Sequence, residues 1–331
     1  MYNQYLKFMK NVLSVLFAAI LLFSCGNAED KRYVSPSSGD INSVVVVVDN
    51  LLWDNNVGDA IRDVLAASVE GLSKDEPQFS MSQMPTAVFS GFAKNNRTVL
   101  KIEKGKDAAT QIIKDAHARP QTLVVVSGQS NAEIIDQINT NAVKIVNAFK
   151  STEITERQRR TSKSLFNDKP LKEKLGLSLK FPTAYRIAKS EDDFFWIRRD
   201  IKQGNVDLLV YEIPLSSIRK RDSTVIDIIR VRDSIGKIHI EGALEGSYMA
   251  TEPAFTPTIN GVIVDNKPAF ETRGIWDLKN AFMSGPFINY AIEDKVNNRY
   301  IIAEGYVFAP SIAKRDYVFE LESIIKSIAI K

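Results

Sequence analysis

The residue best placed for covalent chemistry is a cysteine near the N-terminus. Cys25 is the only cysteine among the 331 residues, and it directly follows an apolar run at residues 12–23. Two lysines, Lys7 and Lys10, precede that run, a leucine lies three residues before the cysteine, and Ser24 lies next to it. This pattern is typical of a leader peptide that is removed so that the cysteine becomes the acylated first residue.

The leader pattern has two other interpretations. A membrane-spanning helix needs about 20 apolar residues, and this run has only about 12. A plain secretory signal would leave Cys25 as a free thiol and normally ends in a small-residue cleavage site without a cysteine. The sequence therefore predicts a signal peptide at 1–24, a lipid on Cys25 and a polar tether at 25–40, so the first predicted partner is a membrane.

The residues after the cysteine bear on the compartment. Gly26 stands where other lipoproteins carry the aspartate that retains them in the inner membrane, and Glu29-Asp30 is followed at once by Lys31-Arg32. We expect an outer-membrane protein that faces the periplasm, with the cell surface as the alternative location.

A second candidate for chemistry is a crevice at the ends of two strands. Asp49 and Asn50 follow the valine run at 44–48, while Ser127 and Gln129 follow a similar run at 122–126. If the two strands are parallel and adjacent, these four polar side chains share a ligand crevice at the carboxyl edge of the sheet. The alternative is that they only end strands and form turns.

A third candidate is an aromatic strand at 194–199. Strand alternation places Trp196 and Arg198 on one face, together with Phe194. Trp and Arg are favoured at the centres of interfaces, which makes Trp196 and Arg198 a candidate interface. The alternative is a central strand whose aromatic side chains fill the core.

Other chemistries have weaker support. The chain has two histidines, His117 and His239, and no G-x-S-x-G motif. We expect His117 at a helix end and His239 in a solvent-facing strand. A Ser–Lys pair and a glycosidase-like pair of carboxylates stay open, because neither has a fixed spacing. No metal site and no cofactor are predicted; the acidic run Glu191-Asp192-Asp193 fits a solvated turn better than a calcium loop.

The charge balance argues against nucleic acid as a partner. The chain has 43 basic and 40 acidic residues, and loss of Lys7 and Lys10 with the leader leaves 41 basic residues. A nearly neutral protein has no electrostatic basis for binding a polyanion.

Hydrophobic periodicity predicts the elements that must position these residues. In the first half we expect strands at 44–48 and 122–126, a hairpin formed by 88–92 and 98–102, and helices at 57–65, 107–116 and 130–149. Ser130 and Glu133 form a capping box for the last of these helices. The segment 68–85 is predicted to be irregular.

The second half has mainly antiparallel strand signals. Strands are predicted at 178–187, 194–199, 206–213, 262–264, 269–276, 287–292 and 300–308, with helices at 222–233 and 312–328. The fold class is therefore α+β or mixed α/β, a sheet-based body with flanking helices and a C-terminal amphipathic helix. We place an α/β half at 41–156, a mainly antiparallel half at 157–331, and a basic connection at 157–172.

Several stretches together resemble a known family. They are Leu52-Trp53, Val57-Gly58-Asp59-Ala60-Ile61-Arg62, Phe89-Ser90-Gly91-Phe92, Leu179-Lys180-Phe181-Pro182, Asp193-Phe194-Phe195-Trp196-Ile197-Arg198, Glu245-Gly246-Ser247-Tyr248-Met249, Gly285-Pro286-Phe287-Ile288-Asn289-Tyr290, Phe308-Ala309-Pro310 and Lys314-Arg315-Asp316-Tyr317. This set resembles the Bacteroidota lipoproteins that contain domain of unknown function 4837. The resemblance implies a Gram-negative envelope lipoprotein and brings no activity, substrate or catalytic residue.

The leading functional hypothesis is a non-enzymatic envelope module that binds a protein, glycan or lipid partner, because no recognisable catalytic constellation occurs in a chain long enough for an enzyme. The alternative is a hydrolase of envelope material with a site near Asp49 and Ser127. A third hypothesis is a subunit of an outer-membrane assembly.

Overall fold

Two β-sheets of different topology carry the fold. The computed structural model describes residues 34–220 and 222–331, and Pro36–Lys331 forms one compact unit. The predicted leader, the predicted lipid attachment site Cys25 and most of the tether lie outside the described residues. The mixture of helices and sheets confirms the predicted α+β class.

The strands, in chain order, are β1 (Ser35–Pro36), β2 (Ser43–Val47), β3 (Ser80–Met84), β4 (Thr98–Lys104), β5 (Ala109–Lys114), β6 (Ala118–Arg119), β7 (Thr122–Gly128), β8 (Leu177–Ser178), β9 (Arg186–Ser190), β10 (Phe194–Ile201), β11 (Gly204–Pro214), β12 (Tyr248–Thr251), β13 (Thr258–Val264), β14 (Lys267–Lys279), β15 (Ser284–Asp294), β16 (Arg299–Phe308) and β17 (Ala329–Ile330). The α-helices are α1 (Asn50–Trp53), α2 (Asn56–Leu65), α3 (Asn131–Thr140), α4 (Ala142–Thr161), α5 (Lys169–Lys174), α6 (Thr224–His239) and α7 (Arg315–Ile325). Short 3₁₀ turns lie at Thr86–Val88, Gly91–Asn95 and Leu215–Ser217.

The first sheet is mostly parallel. Its order is β3-β2-β4-β7-β5, and β5 alone is antiparallel to its neighbour. Val44 and Val46 pack on one face against the core that α2, α3 and α4 complete, while Val45 and Val47 pack on the other face. The valine run is buried on both sides, as expected for a strand inside a parallel sheet.

Three predictions for this sheet are wrong. The segment 68–85, predicted to be irregular, contains the strand β3, which pairs in parallel with β2. The stretch 88–102 is not a hairpin, because β4 lies between β2 and β7 and runs parallel to both. The predicted helix 107–116 is the strand β5, which pairs with β7 from Ala109↔Ser127 to Lys114↔Thr122. Pairing there covers the edge of β7, which a helix would leave with unpaired backbone groups.

The predicted helix at 130–149 is two helices. The chain leaves helical geometry at Asn141, and α4 then continues to Thr161, past the junction predicted at 156–157. The start is as predicted, since the Ser130 hydroxyl accepts the Glu133 N–H at 3.2 Å. The Glu133 carboxylate accepts the N–H of Gln129 at 2.9 Å and not that of Ser130.

The second sheet is antiparallel and has eight strands among the described residues. Its order is β12-β14-β15-β16-β11-β10-β9, and β13 pairs with the other end of β14. One face is covered by α7 and the other by α6. Gly305 on β16 allows α7 to pack closely, because a Cβ atom there would lie 2.7 Å from the Cβ of Leu321.

Most elements of this half were predicted with shifted ends. The helix predicted at 222–233 begins at Thr224 and continues to His239, and the helix predicted at 312–328 spans 315–325. The strand predicted at 178–187 is instead the short β8, a loop and the start of β9.

Helix α7 joins the two sheets. The Glu76 carboxylate, from the loop before β3, accepts the backbone N–H groups of Lys314 and Arg315 at 2.7–2.9 Å. Glu320 of α7 pairs with Arg157 of α4 and, at 3.2 Å, with Arg199 of β10. None of the described helices is long and apolar enough to cross a membrane.

Candidate functional site

The predicted crevice at the end of the first sheet required two adjacent parallel strands, and the structure does not have this arrangement. The strands before Asp49 and Ser127 are parallel, but β4 lies between them, so the two positions are about 10 Å apart, twice the spacing of neighbouring strands. Ser127 is 8% exposed, and its hydroxyl donates to the carbonyl of Asp107 at 2.7 Å. The condition of adjacent strands is therefore not met.

The other two residues of that set also have local partners. The Asn50 carbonyl oxygen Oδ1 accepts from Gln83 at 3.0 Å, and the Gln129 amide lies 3.5 Å from the carboxylate of Asp107. The four polar side chains therefore fall into two local groups, one at β2 and β3 and one around the β5–β7 edge.

Trp196 and Arg198 do lie together at a cavity. They are on β10, which lies one strand from the edge of the second sheet and pairs with β9 and β11. Phe194 and Phe195 of this strand lie in the core, as the alternative interpretation has it. Phe194, Phe195 and Ile197 are almost fully buried, whereas Trp196 and Arg198 are half-buried. The Arg198 guanidinium lies 5.8 Å from the centre of the Trp196 ring.

The cavity beside them, called here the aromatic pocket, has a volume of about 260 Å³. Its lining consists of aromatic and other apolar side chains with a few polar groups, namely Trp196, Arg198, Asn205, Ile240, Glu241, Gly242, Ala243, Met249, Trp276, Leu278, Met283, Tyr306 and Phe308. The Trp276 ring packs edge-on against Tyr306 at 5.6 Å and is tilted against Phe308 at 6.3 Å. Apolar walls with few polar groups are typical of small-molecule sites.

Strand register explains how the polar groups meet. Arg198 of β10 is directly opposite Asp207 of β11, which is opposite Tyr306 of β16. Directly opposed residues of antiparallel strands share a face, so the three side chains form a row across the sheet. That row borders the aromatic pocket.

Asp207 is the titratable centre of this row. It is fully buried and accepts a hydrogen bond from the indole Nε1 of Trp196 at 2.7 Å. Burial raises the pKa of Asp207 to about 7, although the Trp196 hydrogen bond and the charge of Arg198 act in the opposite direction. Asp207 therefore changes protonation near neutral pH.

Asn205 and Arg198 complete the hydrogen bonding of Asp207. In the orientation of the Asn205 amide that satisfies its neighbours, its nitrogen donates to Asp207 and its oxygen accepts from Arg198 at 2.6 Å. Arg198 also donates to Asp200 at 3.2 Å. The hydrogen-bond partners of Asp207 are therefore donors of the protein itself. Asp207 would affect a bound molecule only indirectly, by orienting Trp196 and Arg198.

A loop at 240–248 forms one wall of the pocket and separates it from a second hollow. The Gly242 N–H donates to the Ser247 carbonyl at 3.0 Å, and the Met249 N–H donates to the Ile240 carbonyl at 3.1 Å. On this loop lies a more polar hollow of about 620 Å³, lined by Lys237 and residues 241–248. The two cavities share the segment 241–243 as lining.

The histidines lie elsewhere. His239 ends α6, and its ring stacks on Phe194 at 4.0 Å, so the prediction of a solvent-facing strand is wrong. Burial and the neighbouring Lys189 lower the pKa of His239. His117 lies in the turn between β5 and β6, not at a helix end, and its N–H donates to the Gln121 side chain at 2.8 Å. No cluster of three metal-ligating side chains occurs within 34–220 and 222–331.

Sequence reasoning identified two residues of the pocket and missed the others. Asp207 carries a signal, because a single acid between Val206 and Leu208 interrupts the apolar run at 206–211. A charge in such a position is rarely fully buried unless it has partners. Nothing in the sequence marks Trp276 and Tyr306 as pocket residues, because they approach Trp196 only through the order of the strands in the sheet.

Two family models match the chain, one in each half. Residues 37–162 match a domain of unknown function, DUF8532, and residues 164–327 match a second, DUF4837. The segments Leu52-Trp53 to Phe89-Ser90-Gly91-Phe92, which contributed to the resemblance, therefore fall in the first of these domains. The aromatic pocket falls entirely in the second.

No curated protein matches the chain. Among solved structures, the chain is similar to a protein of Bacteroides thetaiotaomicron with 12% identity, 47% of this chain and 45% of that chain covered, and a TM-score of 0.20. It is also similar to the lipid transfer and protein localization domain of human StarD13, with 9% identity, coverage of 43% and 88%, and a TM-score of 0.21. The chain spans under half of the Bacteroides protein, and at these TM-scores neither likeness carries an argument. The family assignment rests on the match at 164–327: through this C-terminal half, the chain belongs to the family defined by domain of unknown function DUF4837.

Proposed function

We propose that this protein is an outer-membrane lipoprotein, anchored through Cys25, whose C-terminal half is a non-enzymatic module that binds a sugar residue of an envelope glycan. The observation that carries the binding proposal is the aromatic pocket, where Trp196, Trp276 and Tyr306 surround about 260 Å³ beside Arg198 and Asn205. The anchor is supported by the leader pattern before Cys25.

The chemistry of the pocket suits a sugar ring. A pyranose has an apolar C–H face that can lie on an aromatic ring, and its hydroxyl groups both donate and accept hydrogen bonds. The pocket supplies aromatic walls from Trp196 and Tyr306 and polar groups from Arg198 and Asn205 at its rim. Arg is a donor only, whereas an Asn amide can both donate and accept.

Size favours one ring over a lipid chain or a protein surface. Pockets for drug-sized ligands range from about 300 to 1,000 Å³, so 260 Å³ suits a group the size of one sugar unit. The polar hollow of about 620 Å³ along residues 241–248 could accept the neighbouring units of a glycan.

A binding role is favoured over catalysis by the position of Asp207. It is fully buried and directed at Trp196, Asn205 and Arg198. A general acid or base must come within hydrogen-bond reach of the reacting proton, and this carboxyl is enclosed by its protein partners. Asp207 therefore holds Trp196 in the wall of the pocket, and Arg198 and Asn205 at its rim.

Intrinsic fluorescence can test the binding proposal. The chain has three tryptophans, two of them at the pocket, and the third, Trp53, lies on α1 beside the first sheet. In the full-length Trp53→Phe variant in detergent, titration with soluble peptidoglycan fragments or lipopolysaccharide oligosaccharide is expected to change the emission saturably.

Matched variants locate the binding. Trp196→Ala is expected to weaken the binding measured by calorimetry by about tenfold or more, as for an aromatic residue at the centre of a contact. Trp53→Ala removes the same type of side chain from α1, beside the first sheet, and should leave the affinity unchanged. The Asp49→Ala/Ser127→Ala pair, which tests the crevice of the hydrolase hypothesis, should also have no effect. Equal losses from Trp196→Ala and Trp53→Ala, or no saturable binding to either glycan, would contradict the proposal.

A further inference from the structure

The described chain enters the fold at one end of the first sheet. The Ser37 N–H donates to the Arg119 carbonyl at 3.1 Å, and the Ser38 N–H donates to the Asn95 carbonyl at 2.9 Å. Arg97 then holds the carbonyl groups of Gly39 and Asp40 at 3.1 and 2.6 Å. These bonds fix where the segment that follows Cys25 joins the folded unit.

An exposed aromatic side chain lies beside this entry point. Phe92 is 91% exposed and lies three residues before Asn95, in the same 3₁₀ turn, Gly91–Asn95. Three residues of 3₁₀ helix span about 6 Å along the axis. Val88, in the preceding 3₁₀ turn, is 56% exposed. The turn is held by its backbone, so the Phe92 ring contributes little to the packing of the fold.

The surroundings of Phe92 resemble a membrane-contact surface. Arg119, whose carbonyl accepts from Ser37, has a side chain that is 73% exposed and donates to the Asp115 carboxylate at 2.7 Å. Lys94, which is half-buried, lies in the same turn as Phe92. Apolar rings flanked by basic side chains are typical of surfaces that lie in the headgroup region of a bilayer.

The length of the chain before this point limits how far the bilayer can be. Eleven residues separate Cys25 from Ser37, so the span between the two is at most about 40 Å when fully extended. The surface at which this chain enters the folded unit is therefore the surface that reaches the anchoring membrane most easily.

We propose that the surface formed by Val88, Phe92, Lys94 and Arg119 lies on the bilayer in which Cys25 is anchored, with the Phe92 ring inserted at the headgroup boundary. This inference rests on the proposed lipid anchor. It places the first sheet next to the membrane, and the occupant of the exposed patch is lipid.

The chain contains a matched control for this proposal. Phe282, in the loop between β14 and β15, is also fully exposed but belongs to the second sheet and is distant in sequence from the entry point. Phe92→Trp and Phe282→Trp therefore place the same reporter at two exposed sites, one inside and one outside the proposed surface.

The experiment measures quenching in lipid. The two full-length variants, each in the Trp53→Phe background, are reconstituted in vesicles of phosphatidylethanolamine and phosphatidylglycerol, with or without bromine on the upper acyl chain. Trp196 and Trp276 are present in both variants, so quenching is compared with that of the Trp53→Phe parent. Brominated lipid should quench Phe92→Trp more than this parent, and Phe282→Trp no more than this parent.

Mass spectrometry of the same preparations distinguishes a failed surface from a failed anchor. An acylated Cys25 with equal or absent quenching at both sites overturns the membrane-contact surface and leaves the anchor intact. An unmodified Cys25 overturns both. Quenching only for Phe282→Trp would place the membrane contact on another face of the protein. A stable dimer that shields Phe92 from lipid would assign the surface to a second copy of the chain.

Discussion

Asp207 is a carboxyl whose charge is poorly stabilised in the folded protein. Burial raises its pKa from the ordinary value of 3.8 to about 7. Between these two pH values the folded state binds a proton that the unfolded state does not bind, so the free energy of unfolding decreases as the pH rises.

The first prediction concerns this carboxyl. Between pH 6 and pH 8 the wild-type protein should lose about 1 kcal/mol of stability through Asp207, because a folded pKa near 7 falls within that interval. In Asp207→Asn this loss should disappear, since an amide still accepts the Trp196 hydrogen bond but does not titrate. Urea unfolding at both pH values measures the difference. An unchanged pH dependence in the variant would show that another group is responsible.

At the residue scale, the sequence predicted only part of the site. The alternation of side chains along β10 was sufficient to place Trp196 and Arg198 on one face, because successive side chains of any strand point to opposite faces. Asp207 and Tyr306 reach the same row only through the pairing of β10 with β11 and of β11 with β16. Register depends on turns and on the burial of whole faces, which no short segment encodes.

At the element scale, the errors follow from tertiary pairing. Residues 107–116 carry apolar side chains at spacings that fit a helix, yet β5 forms because the edge of β7 is available. β3 was missed because Ser80–Met84 has no apolar run, and it becomes a strand through its parallel pairing with β2. The central parts of β14, β15 and β16 were recognised at 269–276, 287–292 and 300–308, because each contains a strand-like apolar run; the strands themselves extend beyond these runs.

The second prediction concerns the docking of α7 on the second sheet. In Gly305→Ala the new methyl group would lie 2.7 Å from the Cβ of Leu321, and the resulting overpacking should cost about 1–3 kcal/mol in urea unfolding. Gly261→Ala on β13 is the control, because no atom lies within 4 Å of its added Cβ. This control should be neutral or slightly stabilising. Equal effects of the two substitutions would show that contact with α7 is not the cause.

The third prediction concerns the buried ion pair between Arg97, directly before β4, and Glu153 of α4. Arg97 and Glu153 are both almost fully buried, with Nε and Oε1 at 2.7 Å. Burial raises the pKa of Glu153, and the hydrogen bond and charge of Arg97 oppose this rise. Glu153→Gln leaves the arginine without its counter-charge and should cost about 3 kcal/mol.

The double variant Arg97→Met/Glu153→Met tests the reason for that loss. It removes both charges, so it should be less destabilised than Glu153→Gln, because no unpaired charge stays buried. Urea midpoints of the single and double variants provide the comparison. If the double variant were much less stable than Glu153→Gln, the net attraction between Arg97 and Glu153 would be the dominant contribution to stability.

At the scale of the whole molecule, two family domains share one helix. The residues matched by DUF8532 and DUF4837 meet between 162 and 164, but α7 from the end of the chain contacts both halves. Glu76 caps it from the first half, and Glu320 receives Arg157 from α4, Arg199 from β10 and, at 2.8 Å, the hydroxyl of Tyr185.

The fourth prediction follows from this sharing. Half-buried arginines from both halves converge on the buried Glu320, so the two sheets should unfold together. Hydrogen exchange under increasing urea should then open the amides of β4 and β15 at the same denaturant concentration. Glu320→Gln should lower both opening midpoints by the same amount, since it leaves Arg157 and Arg199 without their shared carboxylate. Glu173→Gln, which removes an exposed pair with Lys169 at 3.5 Å, should change neither midpoint. If β4 opened well before β15 in the wild-type protein, the halves would be separate folding units and α7 would belong to only one of them.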